Sequence, residues 1–285
     1  MKKILILGTG GLIGHKIYLL LKNNKNFKLF SLSKTVKIDS DTTILDINNF
    51  AKFETYIKKI KPDFIVNCVG LLIEDSEKYK LESIFLNAFL PNYLYSFSKK
   101  NNCKLIHIST DCVFSGSDKK PYKELDLTDG LSNYAKTKSL GEVNEIDALT
   151  IRTSVVGPQL KEGGELFHWF MNQSGKINGY KKAFWSGVTT IELSKFVQWA
   201  ILKNLNGIYN LTNNKKISKY ELLLLFKKFT KKSIMIIPSS NVKTDKSFID
   251  TRKEIDYQIP TYNTMIKNMI YDIKFNQKLY PHYDI

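Results

Sequence analysis

The sequence predicts an α/β fold built on a doubly wound parallel sheet, followed by a smaller C-terminal lobe. In the first half, short continuous apolar runs alternate with helix-length amphipathic stretches, which is typical of parallel strands covered by helices on both faces. After about Gly157 the alternation loosens and glycine-rich turns interrupt it. We therefore expect one domain over residues 1–156 and a second lobe over residues 157–285, with segments of the lobe returning to the sheet.

Each element is predicted from its own apolar pattern. Five runs in the first half are strand-length: Lys3–Leu7, Lys28–Leu32, Phe64–Cys68, Leu105–Ser109 and Leu149–Thr153. The stretches between them predict four helices: Ile13–Asn23, Phe50–Ile60, Leu81–Lys100 and Asn133–Glu142. The second half predicts loops at Gly163-Gly164 and Gly175–Gly179, a helix at Ile191–Lys203, strands at Gly207–Leu211 and Lys232–Pro238, and a final helix within Ile259–Phe275. Ser218 with Glu221 three residues later predicts a capping box.

Length, apolar content and cysteine usage limit the class of protein. The chain has 285 residues, 43% of them hydrophobic, so it can bury a sizeable core. Met1-Lys-Lys leads directly into the first strand, and no apolar run approaches the ~20 residues of a membrane span. The cysteines form no CxxC and no metal spacing: Cys68, Cys103 and Cys112. We expect a cytoplasmic protein with reduced thiols, no signal peptide, no membrane partner and no metal.

The net charge of +16 raises the question of a nucleic-acid partner. The lysines are spread along the whole chain and do not form a basic arm. The aromatic residues show no basic-aromatic repeat of the kind that stacks on bases. The composition therefore predicts no nucleic-acid partner, and a diffuse positive field would help to attract an anionic substrate.

A glycine-rich turn follows the first predicted strand, with Gly8, Gly11 and Gly14 in a G-x-x-G-x-x-G spacing. Glycines let the backbone approach a pyrophosphate, which the N-terminus of the next helix stabilises. The usual dinucleotide fingerprint places its third glycine one residue earlier, where this chain has Ile13. A purely structural turn is the alternative. The strand–turn–helix context favours a nucleotide cofactor.

The end of the second strand bears on which nicotinamide cofactor is used. An NAD site typically offers an acidic residue there for the ribose diol. This chain has Ser33 and Lys34 instead, and no acid before Asp39, so the sequence favours NADP(H) while NAD(H) stays open. Further along, Asp46 and Ile47 could border the adenine or form an ordinary turn.

Tyr134 and Lys138 stand four residues apart, on one face of a predicted helix. A nearby ammonium lowers the pKa of a phenol, so such a Tyr can exchange a proton with a carbonyl or an alcohol. Thr110, in Ser109-Thr-Asp111 at a strand end, offers a hydroxyl to the same substrate oxygen, although these residue types also simply end strands. Asn67–Gly70 follows another strand. Ligands of parallel sheets bind at such strand ends, so these segments should converge.

Three further side chains are of residue types that often act in catalysis, but each has a structural interpretation. Cys112 is interpreted as a small buried residue and not as a nucleophile. His107 lies inside a predicted strand and is interpreted as a packed core residue. His168, in an aromatic cluster, is either core or pocket wall.

The chain resembles the extended short-chain dehydrogenase/reductases, and within them the dTDP-4-dehydrorhamnose reductase-like family. The resemblance covers nearly the whole chain, and its specific part is the block from Ser109 to Glu142. The matching segments occur in the expected order: Gly8–Gly14, Asn67–Gly70, Asn87-Ala88, Ser109–Gly116, Tyr134–Glu142, Arg152–Ser154 and Gly207–Leu211. The C-terminal lobe matches only loosely.

The resemblance implies a Rossmann-type NAD(P)-binding domain, a mainly substrate-binding lobe, and hydride transfer from NAD(P)H to C4 of a nucleotide-linked 4-keto-6-deoxy sugar. Such enzymes serve surface-polysaccharide biosynthesis. It implies that Tyr134 protonates O4, that Lys138 binds the nicotinamide ribose and lowers the pKa of Tyr134, and that Thr110 orients the keto oxygen. The cofactor contacts that the resemblance implies are Gly8, Gly11, Leu12, Ile13, Gly14, Val69, Gly70, Tyr134 and Lys138. The residues at the later strand ends add Ser33, Lys34, Asp46 and Ile47.

For the substrate, the resemblance implies contacts from Thr110, Asp111 and Lys246, the last of which matches a basic position that faces the nucleotide diphosphate. Trp185 is an aromatic that could stack on the sugar or base. Family members sometimes use a divalent metal and form dimers. The sequence shows no cluster of metal ligands, so we expect no metal. It does not decide whether the protein forms a homodimer, which stays possible.

Departures from the family pattern fall where the sugar should lie. Cys112 and Val155-Val156 replace aromatic residues, and the loop 179–187 differs. A UDP-linked, N-acetylated 4-keto sugar is therefore an open alternative. A GDP-fucose synthase-type epimerase-reductase needs a Cys directly after the catalytic hydroxyl, where this chain has Asp111. A non-catalytic regulatory subunit on the same fold is the third alternative, which the complete set of Thr110, Tyr134 and Lys138 argues against.

Overall fold

The computed structural model describes residues 1–117, 121–161 and 163–285. The chain divides into two compact units. The first consists of Met1–Val113, Thr128–Arg152 and Ser194–Tyr209, and the second of Phe114–Leu127, Thr153–Leu193 and Asn210–Ile285. Two segments of the chain thus belong to the unit formed mostly by the other half.

The strands are β1 (Lys2–Leu7), β2 (Phe27–Ser33), β3 (Thr42–Ile44), β4 (Phe64–Asn67), β5 (Lys104–Thr110), β6 (Ala148–Thr153), β7 (Val155–Val156), β8 (Lys176–Trp185), β9 (Val188–Thr189), β10 (Gly207–Asn210), β11 (Ile217–Ser218) and β12 (Met235–Asp245). The α-helices are α1 (Gly14–Leu21), α2 (Phe50–Ile60), α3 (Ile73–Lys78), α4 (Lys80–Ser83), α5 (Leu90–Lys100), α6 (Asn133–Leu140), α7 (Leu166–Met171), α8 (Thr190–Lys203), α9 (Lys219–Thr230) and α10 (Tyr262–Phe275).

A seven-stranded sheet in the order β10-β6-β5-β4-β1-β2-β3 organises the first unit. Strand β1 pairs in parallel with β2 and β4, and its last residue, Leu7, lies opposite Leu32 and Asn67. The fold class predicted from the sequence, a doubly wound parallel sheet with flanking helices, is confirmed. Strand order reverses on either side of β1, and in open α/β sheets the ligand crevice lies at such a switch point, beyond the carboxyl ends of the strands.

The central strands form because their apolar runs are long enough to be buried on both faces. Ile4 to Leu7 are fully buried, as are Ile65 and Val66 of β4. All five strands predicted in the first half are present, with ends within one residue of the prediction. Strand β3 was missed, because three residues with two threonines carry too little apolar pattern.

The stretch predicted as one helix over Leu81–Lys100 is three consecutive pieces. Helix α4 is followed by a π-helical segment, Ile84–Phe89, and then by α5. The side chain of Asn87, within the π segment, binds the backbone of Leu71: its Oδ1 accepts from Leu71 N–H at 2.9 Å, and its Nδ2 donates to the Leu71 carbonyl at 3.2 Å. The sequence shows only an apolar face of helical period, so it could not reveal the wider turn. Within residues 1–117, 121–161 and 163–285, no helix is long and apolar enough to cross a membrane.

The second unit contains a three-stranded sheet in the order β11-β8-β12. Strand β8 corrects the sequence prediction, which placed loops at Gly175–Gly179 and over 179–187. Its buried residues alternate with exposed ones, as in a strand with one covered face. Gly179 interrupts the apolar pattern because a Cβ there would lie 2.6 Å from the Tyr220 ring. The capping box predicted at Ser218 and Glu221 is confirmed at the start of α9.

Candidate active site

A cleft of about 260 Å³ lies at the carboxyl ends of β1, β2 and β4, within the first unit. We call it the glycine cleft. Among the residues predicted to bind a cofactor, it brings together Gly8, Gly11, Ser33, Lys34, Asp46, Ile47, Val69 and Gly70. Its lining also includes residues that the sequence analysis did not select: Gly10, Thr35, Val36, Leu71 and Glu82. The ends of β1, β2 and β4 thus converge as the sequence predicted, whereas the predicted segment Ser109–Asp111 does not line this cleft.

The turn that forms one wall of the glycine cleft depends on glycine at two points. Gly8 has φ +81°, and its carbonyl accepts a 3.0 Å hydrogen bond from Gly11 N–H. A Cβ on Gly14 would lie 2.3 Å from that same carbonyl oxygen, so Gly14 allows α1 to start against the turn. Gly14 does not line the cleft, and neither do Leu12 and Ile13, so the structure gives these three a supporting place in the turn.

Lys34 lies at the cleft as predicted, but it is not a free cation. Its Nζ is 3.1 Å from Asp46 and 3.9 Å from Glu82. Asp46 accepts from Asn48 N–H at 2.9 Å, so it closes a turn and also lines the cleft, while its contact with an adenine stays a prediction. Glu82 comes from α4, far along the chain, and no motif pointed to it.

Lys138 is almost completely buried, with 5% of its surface exposed. Its Nζ donates a 2.8 Å hydrogen bond to the Ile108 carbonyl and lies 3.4 Å from His107 Nε2. It is also 3.9 Å from the position that a Cβ on Gly70 would take, which brings it to the edge of the glycine cleft. Burial lowers the pKa of Lys138 to about 8, although the negative charge of Glu142 acts to raise it.

Tyr134 lies one turn before Lys138 in α6, and is 9% exposed. Helix α6 begins here because Ser132 caps it, accepting a 3.1 Å hydrogen bond from Ala135 N–H. The short helix therefore fixes the relative positions of the phenol and the ammonium.

Thr110 is the last residue of β5 and is 8% exposed. Its hydroxyl donates to Asp111 Oδ1 at 3.2 Å and accepts from Cys112 N–H at 3.1 Å. The hydroxyl therefore lies at the carboxyl end of β5, the strand that pairs with β4. Cys112 is half-buried, more open than the small buried residue expected.

A buried ion pair lies next to Thr110 in the chain's fold, joined to it through Ser109, and no sequence motif pointed to it. Ser109 donates a 2.7 Å hydrogen bond to Glu142 Oε1, and Arg152 binds both oxygens of the same carboxylate. It links the end of β5 to β6 and to the residue that follows the α6 C-cap. Within the described part of the chain, no three His, Cys, Asp or Glu side chains come together in a way that could hold a metal ion.

The remaining predicted residues lie in the second unit. Lys246 follows β12 and is half-buried. Trp185 ends β8, is 3% exposed, and has its ring 5.5 Å from that of Tyr262. The structure therefore gives Trp185 a packing environment and no open face for stacking. His168 is also buried, 3.0 Å from the Tyr283 hydroxyl and 2.8 Å from Asn172, which favours a core role.

Residues 1–246 match the family described as RmlD substrate binding domain. The chain belongs to this family. One curated relative of this RmlD-family chain is a dTDP-4-dehydrorhamnose reductase from Aggregatibacter actinomycetemcomitans, 31% identical over 143 residues. The alignment covers 50% of this chain and 46% of the relative, so the chain spans about half the length of that relative.

Other members and neighbours extend the comparison. The spore coat polysaccharide biosynthesis protein SpsK of Bacillus subtilis is 27% identical over 229 residues, covering 78% of this chain and 77% of the relative. Among solved structures, a dTDP-4-dehydrorhamnose reductase from Bacillus anthracis in complex with NADP superposes with a TM-score of 0.82 at 20% identity. That superposition covers 95% of this chain and 99% of the other. It establishes that the RmlD-family chain shares the fold of that reductase.

Proposed function

We propose that this RmlD-family chain is an oxidoreductase that uses NADPH to reduce the 4-keto group of a nucleotide-linked 4-keto-6-deoxy sugar. The observation that carries the proposal is the position of Lys138. Its ammonium is buried at the edge of the glycine cleft, one helical turn from Tyr134. The names of the relatives, which are reductases of dTDP-linked keto sugars and a polysaccharide biosynthesis protein, support the substrate class and a role in making surface polysaccharides.

The residues of the glycine cleft fit a dinucleotide. A Cβ on Gly11 would meet only the Gly8 carbonyl oxygen, at 3.4 Å, and would otherwise project into open space. That space lies against the turn that precedes α1, where backbone N–H groups favour a pyrophosphate. Lys34 stands at the second-strand end, where the 2′-phosphate of NADP would be bound, which supports NADP(H) over NAD(H).

When bound, the nicotinamide would supply the hydride. The side chains of this chain supply the proton that the sugar O4 takes up. Tyr134 donates its phenolic proton to the sugar O4 as negative charge develops there. Lys138 stabilises the resulting phenolate through its positive charge and binds the nicotinamide ribose. Thr110 orients the keto oxygen by a hydrogen bond, and Asp111 and Lys246 contact the substrate.

We also propose which unit binds the cofactor, which binds the substrate, and where in the cell the protein works. The first unit binds the cofactor, and the second unit contributes most of the substrate contacts, including Lys246. Cys68, Cys103 and Cys112 form no disulfide, which supports a reducing compartment and hence the cytoplasm. A homodimer is proposed from the family resemblance, and light scattering of the purified protein measures it directly.

The test is a panel of UDP-, dTDP- and GDP-linked 4-keto-6-deoxy sugars, including N-acetylated ones. NADPH absorbance follows turnover, and NMR identifies the product and its C4 configuration. The proposal expects oxidation of NADPH with at least one member of the panel, and loss of that activity in Tyr134→Phe. Tight NADPH binding without turnover on any sugar would contradict it and favour a regulatory subunit.

A further inference from the structure

Lys138 has an unusual partner on the strand beside it. Nζ donates to the Ile108 carbonyl at 2.8 Å and also lies 3.4 Å from His107 Nε2. His107 is fully buried, and burial together with the charge of Lys138 holds its pKa well below the usual value. The imidazole is therefore neutral and carries one proton, on either Nδ1 or Nε2.

Asn67 decides which nitrogen carries that proton. Its Oδ1 accepts a 3.1 Å hydrogen bond from Val69 N–H, which fixes the orientation of the amide. The amide NH₂ then faces His107 Nδ1 at 3.2 Å. An NH₂ group only donates, so Nδ1 is the acceptor and the proton is on Nε2.

The Nε2–H group consequently points at Lys138. A neutral amine has a lone pair that accepts from this group, whereas an ammonium has only protons to present to it. We propose that Asn67 and His107 form a positioning pair that holds a proton towards Lys138 and so favours its amine over its ammonium. This inference concerns the proton chemistry of the proposed reductase, and it rests on that proposed function only for its effect on catalysis.

The other ionisable groups around Lys138 do not account for a preference for its amine form. Glu142 favours the ammonium, but Arg152 binds both of its oxygens and offsets its charge. Burial raises the pKa of Cys68 to about 12, so its thiol carries no charge at the pH values at which Lys138 titrates. The orientation of the His107 N–H therefore acts in the same direction as burial, which lowers the pKa of Lys138 to about 8.

The tautomer is measured first, on the intact wild-type protein. Proton–nitrogen correlation NMR of ¹⁵N-histidine-labelled protein distinguishes protonated from bare ring nitrogens, and the signals of His107 are those absent from His107→Gln. We expect the Nε2–H tautomer. A proton on Nδ1 would overturn the proposal, and this measurement requires neither turnover nor a destabilising change.

The charge of Lys138 is measured next, by NMR titration of ¹³C-lysine-labelled protein, with the Lys138 signal assigned from Lys138→Met. In His107→Gln, a carbonyl oxygen can turn towards Nζ and accept from the ammonium. We expect the midpoint to rise by about one pH unit, a tenfold change in the ammonium-to-amine ratio. His168→Gln, a buried histidine in the other unit, is the matched control and should leave the midpoint unchanged. An unchanged midpoint in folded His107→Gln would refute the positioning role.

The kinetic arm separates this inference from the proposed function. If the reductase is active, the alkaline limb of kcat/KM should move upward by the same amount in His107→Gln, because the ammonium form persists to higher pH. A purely structural role would lower kcat/KM equally at all pH values. If no substrate is turned over, the proposed function fails, while the two NMR measurements still decide the positioning pair.

Discussion

Arg152 binds Glu142 through two hydrogen bonds, from Nε to Oε1 at 2.8 Å and from Nη2 to Oε2 at 2.6 Å, with both side chains at most 5% exposed. Paired planar groups of this kind make the strongest protein hydrogen bonds. Ser109 completes the coordination of the carboxylate at 2.7 Å. The residue next to the proposed catalytic Thr110 is thereby tied to β6 and to the end of α6.

Breaking this pair should be costly. Arg152→Met leaves a buried carboxylate without its partner, and such changes cost about 3–5 kcal/mol of unfolding free energy. Urea unfolding measures the loss. The double variant Arg152→Met/Glu142→Leu removes both charges and should recover much of it. Lys58→Ala, which breaks an exposed pair with Glu54 at 3.2 Å, is the surface control and should change stability little. Equal, small losses in all three proteins would show that the buried pair contributes nothing special.

Removing the Tyr134 hydroxyl tests the proposed proton donor. Tyr134→Phe keeps the ring and should lower turnover on the order of a hundredfold or more, since general acid catalysis is lost. The dissociation constant for NADPH should stay nearly constant. Tyr271→Phe is the matched control, because Tyr271 is 73% exposed and lies on α10, in the other unit. A Tyr134→Phe enzyme with normal turnover would remove the phenol from the mechanism.

The fold was largely predictable, and the reason is visible in particular strands. Strands β1, β4 and β5 are apolar runs buried on both faces, so their local pattern suffices to identify them. Strand β8 was missed because Asn178, Gly179 and three lysines dilute its pattern, and its pairing partners lie more than thirty residues further along the chain. Long-range pairing decides such a strand, and a single sequence does not show it.

In the candidate site, too, local features were predictable from the sequence and long-range contacts were not. The glycine turn and the Tyr134–Lys138 spacing are local motifs, and the sequence identified them. The contacts of Lys138 with His107 and of Lys34 with Glu82 join residues about 30 and 50 positions apart. These contacts depend on the register of β5 and on the path of α4, which no local pattern reports. His107 was therefore correctly expected in the core, but its polar partners were not foreseen.

Cofactor preference should respond to the charges around Lys34. Lys34→Ala should weaken NADPH binding by about tenfold, or ~1.4 kcal/mol, and NADH binding far less, because the 2′-phosphate is present only in NADPH. Glu82→Gln removes a carboxylate 3.9 Å from the same ammonium and should strengthen NADPH binding by roughly twofold to threefold, an effect typical of an exposed charge pair. Fluorescence titration with both cofactors measures these ratios. Equal losses for NADPH and NADH in Lys34→Ala would show that Lys34 does not contact the phosphate.

Trp185 offers a test that separates packing from substrate binding. The sequence suggested an aromatic that could stack on the sugar or base, in which case its removal would raise KM. The structure buries the indole to 3% exposure against Tyr262, so Trp185→Ala should instead leave a cavity and cost about 3–5 kcal/mol of stability. The folded fraction should keep a normal KM. Trp169→Ala, at 37% exposure on α7, is the control and should lower the melting temperature much less. Melting temperature and KM measured on one preparation decide the matter, because a KM that rises tenfold with an unchanged melting temperature would return Trp185 to the substrate pocket.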